Sequence, residues 1–268
     1  MDRRKPDSGW NVPVHTRWAG RRIHYFQETD STNSDAVRLA GEGAPHGTVV
    51  VADRQNKGRG RRGRVWQSPP GKAIYFTILL KPEFGSGRAA GLTLVMALSA
   101  VQAVRDCCGL EAGIKWPNDL VVNGKKICGI LTELHGGEEE KPCVVIGVGI
   151  NVNLEQMPEG LTETATSLFM ESGIRTDRSE LLAGLLERFE ENYRIYEEHL
   201  SMAGLLEEYN SCLVNRGRQV RVLDPKGEFE GIAGGINAAG ELLVETEDGT
   251  VKEVYAGEVS VRGIYGYV

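Results

Sequence analysis

Disulfide chemistry is missing from this sequence. It carries five cysteines, an odd number: Cys107 and Cys108 are adjacent, Cys128, Cys143 and Cys212 are scattered, and no CxxC spacing occurs. That set excludes a stapled secreted scaffold and fits reduced thiols in a cytoplasmic protein. Clustered metal ligands are missing as well. His15, His24, His46, His135 and His199 form no ligand pairs, so no tightly held transition metal is expected. Residues 1–22 are polar and basic without an apolar core, and do not read as a secretory signal. No run approaches the roughly 20 apolar residues of a membrane helix, so no membrane partner is expected. Positive charge is the minority sign, with 31 Lys and Arg against 37 Asp and Glu and a net charge of -6. The chain as a whole is not built to cling to polyanions, and any anion site must be local.

What is present is a length of 268 residues, enough for one large domain or a large and a small one. Over 23–212, strand-like and helix-like segments alternate. Residues 23–26 read as a strand, and the cluster Thr29, Asp30, Ser31, Thr32, Asn33 can cap a helix over 34–41. Apolar runs at 48–52, 73–80 and 144–152 read as buried strands. Residues 88–107 and 180–199 have helical spacing. In the second, Leu181, Leu182, Leu185, Leu186, Phe189, Tyr193 and Tyr196 share one face. Between them, 113–116, 120–122 and 127–135 are strand-like, with Asn123-Gly124 as a hairpin turn. Past Asn215 come short strands at 220–223, 229–233, 242–245, 251–254 and 259–262 with Gly-rich turns, the pattern of a small β-barrel or sandwich. The expected division is an N-terminal tail (1–22), a large mixed domain (23–213) and a small β domain (214–268).

Three kinds of segment carry chemistry. Lys57-Gly58-Arg59-Gly60-Arg61-Arg62-Gly63-Arg64 follows the strand at 48–52. Gly58 to Gly63 satisfies GxGxxG literally, but dinucleotide binding needs a helix to open there, and Val65-Trp66-Gln67-Ser68-Pro69-Pro70 cannot be one. The segment supplies flexible backbone interleaved with guanidinium groups that can grip carboxylates or phosphates. Such a loop repels itself when empty and orders around an anion. A specific anion site, a solvated basic loop and an RNA-binding patch all stay open on this segment alone. Lys115-Trp116-Pro117-Asn118-Asp119 sets a lysine, an amide and a carboxylate at a strand end. Pro117 breaks the ladder and places Asn118 and Asp119 in a turn, suited either to a Mg²⁺-phosphate or to an ordinary Asx turn. Lys125-Lys126-Ile127-Cys128-Gly129 and Gly147-Val148-Gly149-Ile150-Asn151 put glycines inside strands. Such glycines weaken a sheet unless something packs closely on it.

These segments, in this order after Asp30-Ser31-Thr32-Asn33, resemble the biotin protein ligases (biotin–acetyl-CoA-carboxylase ligases) over about residues 23 to 262. The resemblance implies an α+β fold: a mixed-sheet catalytic domain flanked by helices, of the class II synthetase or biotin–lipoyl ligase kind, then an SH3-like barrel. It implies that Ser31, Thr32, Asn33 and Gln55 line a biotin pocket. Gly58, Arg59, Gly60 and Arg61 would belong to a loop closing over biotin and its adenylate, and Lys126 would meet the biotin carboxylate and the α-phosphate. Trp66 would support adenine, while Lys115, Asn118 and Asp119 would help place phosphate and Mg²⁺. Gly129, Gly149 and Asn151 complete the implied binding set. Lys126, Arg61 and Asp119 are the implied catalytic residues, with Asp119 a candidate proton acceptor for the incoming lysine.

The implied chemistry is attack of the biotin carboxylate on the α-phosphate of ATP, loss of pyrophosphate, and transfer to a lysine of a biotin carboxyl carrier protein. Two anions must approach, so positive charge has to be concentrated there. Only about 22 residues precede the first strand, too few for the DNA-binding winged helix of many family members. A ligase-only type with no DNA partner is therefore expected. Family members often pair through a sheet edge, which carries a homodimer as an expectation. The rivals are a lipoate or octanoate ligase of related fold and, from another class, a single-stranded nucleic-acid binding module built on the Arg-rich loop.

Overall fold

The computed structural model describes residues 10–64, 66–67, 69–84, 86–136, 142–224, 227–256 and 260–263. Residues 1–9 of the expected tail, Val65 and Ser68 beyond the basic loop, and Val259 at the head of the last expected strand lie outside the described residues.

Strands β1 (Ile23–Phe26) and β2 (Val49–Ala52) pair in parallel. Then β3 (Ala73–Leu80), β7 (Cys143–Asn151), β6 (Lys125–His135), β5 (Asp119–Val122) and β4 (Gly113–Lys115) continue the sheet antiparallel in that spatial order. All of β3 is buried, which is why it reads as an unbroken apolar run rather than an alternation. Ile74, Phe76, Ile78 and Leu80 enter the main core with helices α2 (Ala89–Cys108) and α4 (Arg178–His199). Leu79 packs instead with Ala36 and Leu39 of α1 (Thr32–Gly41) on the other face. Because α1 covers only part of that face, the remainder is left for a site.

Two helices start two residues earlier than the sequence pattern, each for a local reason. α1 starts at Thr32 because Ser31 takes the cap position, so Thr32 and Asn33 lie in its first turn, buried. α4 starts at Arg178 because the Asp177 carboxylate accepts from the Ser179 and Glu180 N–H groups. The short helices α3 (Leu168–Ser172) and α5 (Leu206–Cys212) went unforeseen, being too short to show a period. The statement that no run suits a membrane helix also needs correcting. α2 is long and apolar enough by length and composition, but 67% of its most apolar window is buried inside the fold.

Residues 10–22 are not a loose tail. One Glu190 carboxylate accepts from the backbone N–H groups of Arg17, Trp18 and Ala19 at 2.6–2.9 Å, and Ala19 is fully buried. Strands β8 (Gln219–Leu223), β9 (Phe229–Ile236), β10 (Leu242–Glu245), β11 (Val251–Val254) and β12 (Ser260–Gly263) form a second, antiparallel sheet of order β11-β10-β9-β8-β12. β11 and β12 are its two edges, so among the described residues the strands do not close into the expected barrel. Val220, Val222, Ala233, Leu242 and Val244 belong to the same core cluster as α2 and α4.

Candidate active site

Glycines form the floor of the site. Gly147 and Gly149 of β7 alternate with core residues Ile146, Val148 and Ile150, so they face away from α2 and α4, and Gly129 of β6 lies opposite Gly149. Trp66, from the segment between β2 and β3, packs onto them. A β-carbon at Gly149 would stand 2.6 Å from Trp66 Cε2, and one at Gly129 2.8 Å from Trp66 Cζ3. At Gly147 it would overlap Asn33 Oδ1. Side chains here would expel an indole and an amide, which is why these strands carry glycine.

At one end of the floor, the first turn of α1 meets Gln55. The Thr32 N–H donates to Gln55 Oε1 (2.9 Å), and the Thr32 hydroxyl lies 3.0 Å from the same oxygen. This commits the Gln55 carbonyl and turns its Nε2 hydrogens over to a ligand. The Thr77 hydroxyl donates to Asn33 Oδ1 (2.6 Å) and sits 2.8 Å from the Thr32 hydroxyl. Asn33 Nδ2 in turn donates to Glu133 Oε2 (2.6 Å). Gln55 is held because residues 54–57 bond to residues 29–30: Thr29 N–H to Arg54 O, Asn56 N–H to Thr29 O and Lys57 N–H to Asp30 O, at 2.8–3.1 Å.

Beyond Lys57 the basic loop folds on itself. The Gly60 N–H donates to Arg64 O (2.7 Å) and the Trp66 N–H to Gly58 O (2.9 Å). Arg59 Nη2 donates to Glu133 Oε2 (3.2 Å), and Arg61 donates from Nη1 to Asn118 Oδ1 (2.8 Å) and from Nη2 to Ala256 O (3.0 Å). The expected self-repulsion is thus offset by acceptors from β6, the 116–118 turn and the residue stretch after β11. Among the described residues no helix follows the loop, in keeping with the rejection of the dinucleotide reading.

Lys126 Nζ and Asp119 Oδ1 form a 2.6 Å ion pair at the junction of pocket and loop, and Lys126 Nζ is 5.2 Å from the Trp66 ring centre. Asp119 is not in the turn that the sequence suggested. The turn is residues 116–118, and Asp119 opens β5, opposite Lys115 on β4 and Gly129 on β6. Lys126 is fixed through its backbone, its N–H donating to Thr164 O and its carbonyl accepting from the Thr166 N–H, both 2.9 Å. Lys115 is buried, and burial pulls its pKa down to about 8. Lys126, Arg262 and Arg64 act in the same direction, and Asp119 opposes them. Burial likewise lowers Arg61, again against Asp119.

Two concavities share a wall made of Gly60, Arg61, Trp66, Asn118 and Lys126. The first, about 490 Å³, also gathers Ser31, Thr32, Asn33, Gln55, Arg59, Gly129 and Gly149. The second, about 2010 Å³ and open to solvent, adds Lys115, Asp119 and Asn151, with an apolar wall of Leu154, Met157, Leu161 and Ala165 and with Arg262 from the C-terminal sheet. Gly58 stays outside both and lines a third, open concavity with Leu131 and Glu133. Sequence reasoning missed Thr77, Glu133 and the apolar wall. Thr77 had a signal, as the one aliphatic hydroxyl in a buried apolar strand, and Glu133 had one in its two-residue alternation with Gly129 and Leu131.

Comparison with known proteins agrees with this geometry. Residues 25–151 match the biotin/lipoate A/B protein ligase family and residues 217–262 the biotin protein ligase C terminal domain. The bifunctional ligase/repressor BirA of Bacillus subtilis is 38% identical over 251 residues, covering 92% of this chain and 76% of that protein. The biotin–[acetyl-CoA-carboxylase] ligase of Paracoccus denitrificans is 34% identical over 243 residues, 88% of this chain and 98% of that protein. A biotin protein ligase from Aquifex aeolicus, solved in complex with biotin and ATP, superposes with a TM-score of 0.81 at 35% identity, covering 91% of this chain and 99% of the other. With relatives this similar over most of their length, and family models matching both the mixed-sheet part and the C-terminal strands, the chain belongs to the biotin protein ligases.

Proposed function

We propose that this chain activates biotin with ATP and passes the biotinyl group to a lysine of a biotin carboxyl carrier protein. The observation that carries it is the pair of chambers meeting at Lys126, Asn118 and Arg61, with Asp119 on the side of the second. One is a small polar pocket, and the other is larger, with cations at its mouth and an apolar wall. Biotin's ureido ring suits the first, where Ser31, Thr32 and Gln55 offer polar partners. A lipoyl dithiolane offers no acceptor to the Gln55 Nε2 hydrogens, a mismatch that sites built on hydrogen bonds reject. ATP suits the second, its base against the apolar wall.

A biotin carboxylate oxygen then bonds to the α-phosphorus as the bond to the β-phosphate oxygen breaks, and pyrophosphate leaves with that electron pair. Lys126, Arg61 and Lys115 supply positive charge where the two anions meet. The lid keeps water from the mixed anhydride. In the second step the acceptor amine bonds to the acyl carbon and AMP leaves, with Asp119 assigned as acceptor of the amine proton. Mg²⁺ would enter on the triphosphate and neutralise it. Asp119 and Asn118 fit this as one carboxylate and one amide oxygen, since among the described residues no three His, Cys, Asp or Glu converge to cage an ion.

The five free thiols favour a reducing compartment such as the cytoplasm. We assign the loop to anions in the pocket rather than to DNA, because Arg59 and Arg61 reach inward to Glu133 and Asn118. A homodimer would use the side of β6 beyond Gly129, which has no strand partner among the described residues and where Leu134 is exposed; sedimentation at micromolar concentration checks it.

The test is biotin-dependent pyrophosphate release from ATP, run with lipoate in parallel. Biotin should stimulate release and lipoate should not. Arg61→Ala should slow it about 10- to 100-fold, the scale of one charge-assisted hydrogen bond. Asp119→Asn should slow transfer from preformed adenylate. Full-rate transfer would remove the proton-acceptor role, and absence of biotin stimulation would remove the whole reading.

A further inference from the structure

Glu133 stands where the biotin-side pocket and the lid touch, and neither step of the chemistry above calls for a carboxylate there. A negative charge beside the meeting point of two anions is unfavourable on its own, so its neighbours give it meaning. Oε2 of Glu133 accepts from Asn33 Nδ2 at 2.6 Å and from Arg59 Nη2 at 3.2 Å. Behind Asn33, the bonded series runs through Thr77 and Thr32 to Gln55 at the base of the lid. Ahead of it, Arg59 lies in the lid itself. The same oxygen therefore joins the wall of the pocket to the tip of the loop that covers it. Glu133 is itself held on a long regular strand, β6, whose register with β7 runs unbroken from Cys128 to His135. The carboxylate is fixed and the loop is the partner that comes to it.

We propose that Glu133 is a positioning residue that latches the Arg-rich lid through Arg59 and ties lid closure to the state of Asn33 in the pocket. It touches no reacting atom. Its effect is to hold the Arg59 guanidinium at the pocket mouth and to keep the closed loop in place over the adenylate. This rests on the reading of the chain as a biotin-activating ligase, but the latch itself exists without substrate and is testable without it.

The experiment compares wild type, Glu133→Gln, Arg59→Ala and the double variant in the full-length chain. The substrate-free readout is the rate of tryptic cleavage after Arg61, Arg62 and Arg64, sites that all four proteins share. The loaded readouts are the release rate of biotinyl-adenylate and the split between biotin KM and kcat. A half-exposed charge pair suggests an effect of about two- to fivefold. Glu133→Gln should raise cleavage and adenylate release by that factor, raising KM more than it lowers kcat. Arg59→Ala should do the same, and the double variant should be no worse than Arg59→Ala alone, since both remove one contact. Cleavage unchanged in Glu133→Gln, or effects that multiply in the double variant, would overturn the latch. A thermal midpoint near wild type for Glu133→Gln separates loss of the latch from loss of fold. If wild type forms no adenylate, the ligase reading fails, while the cleavage data still decide the latch.

Discussion

Lys115 is the residue whose charge the fold puts most at risk. It sits buried beneath the second chamber with a pKa of about 8, against 10.5 for a free lysine. Below pH 8 it is a cation available to phosphate, and above that it is neutral. In the free enzyme, kcat/KM for ATP should therefore fall as pH rises through about 8, and Lys115→Arg should remove that fall. A pH profile of both proteins checks it, and an unchanged fall in the arginine variant would place the titrating group elsewhere. The sign for stability is opposite. Between about pH 8 and 10.5 the unfolded chain binds a proton at this lysine that the folded one does not, so this group's contribution to stability rises with pH there. Motif reading located Lys115. Its burial, and the nearness of Arg262 from the C-terminal sheet, are set by the fold, which no local spacing could reveal.

At the scale of elements, the notable pieces are the two glycine-bearing strands. β7 is otherwise built mostly of buried β-branched and aliphatic residues, β6 buries Ile127, Cys128 and Ile130, and both would pair as well with alanine in place of the glycines. The cost of alanine falls on what lies above them. Gly149→Ala should push Trp66 off the floor and raise biotin KM by about tenfold, as overpacking of about 1–3 kcal/mol is relieved by moving the indole. The thermal midpoint should stay within about 4 °C, because the displaced group is a cavity wall. Biotin titration and a melting curve measure both, and a normal KM would show that Trp66 is not part of the pocket. Strand glycines gave a clear signal in sequence because they contradict β-propensity. The short helices α3 and α5 gave none, since five to seven residues hold less than two turns of periodicity.

As a whole molecule, the two sheets behave as one body. Asn215, 1% exposed, accepts the Trp116 N–H at 2.9 Å, and Trp116 Nε1 donates to Gly240 O at 3.2 Å. The KWPND turn is thus pinned by the C-terminal sheet, and Arg61 of the lid reaches the same body at Ala256. Asn215→Ala leaves a buried N–H unpaired at a cost of about 1–3 kcal/mol, which should lower the midpoint by about 2–10 °C. Unfolding should stay a single transition, and two separated transitions by calorimetry would contradict the shared core. The sequence by itself determined the alternation of strands and helices, the glycines set inside strands and the basic loop, while the pocket residues came from the family resemblance. The first three are written in local residue choice: apolar period, turn chemistry, or a residue that fits badly unless something packs on it. Only the tertiary structure decided that Glu190 docks residues 17–19, that Asp119 lies in a strand and pairs with Lys126, that Glu133 and Thr77 bond Asn33 at the pocket, and that among the described residues the C-terminal strands form an open sheet sharing the main core. Those contacts join residues far apart in the chain, and nothing in local patterning specifies which distant partner will satisfy a given carboxylate or amide.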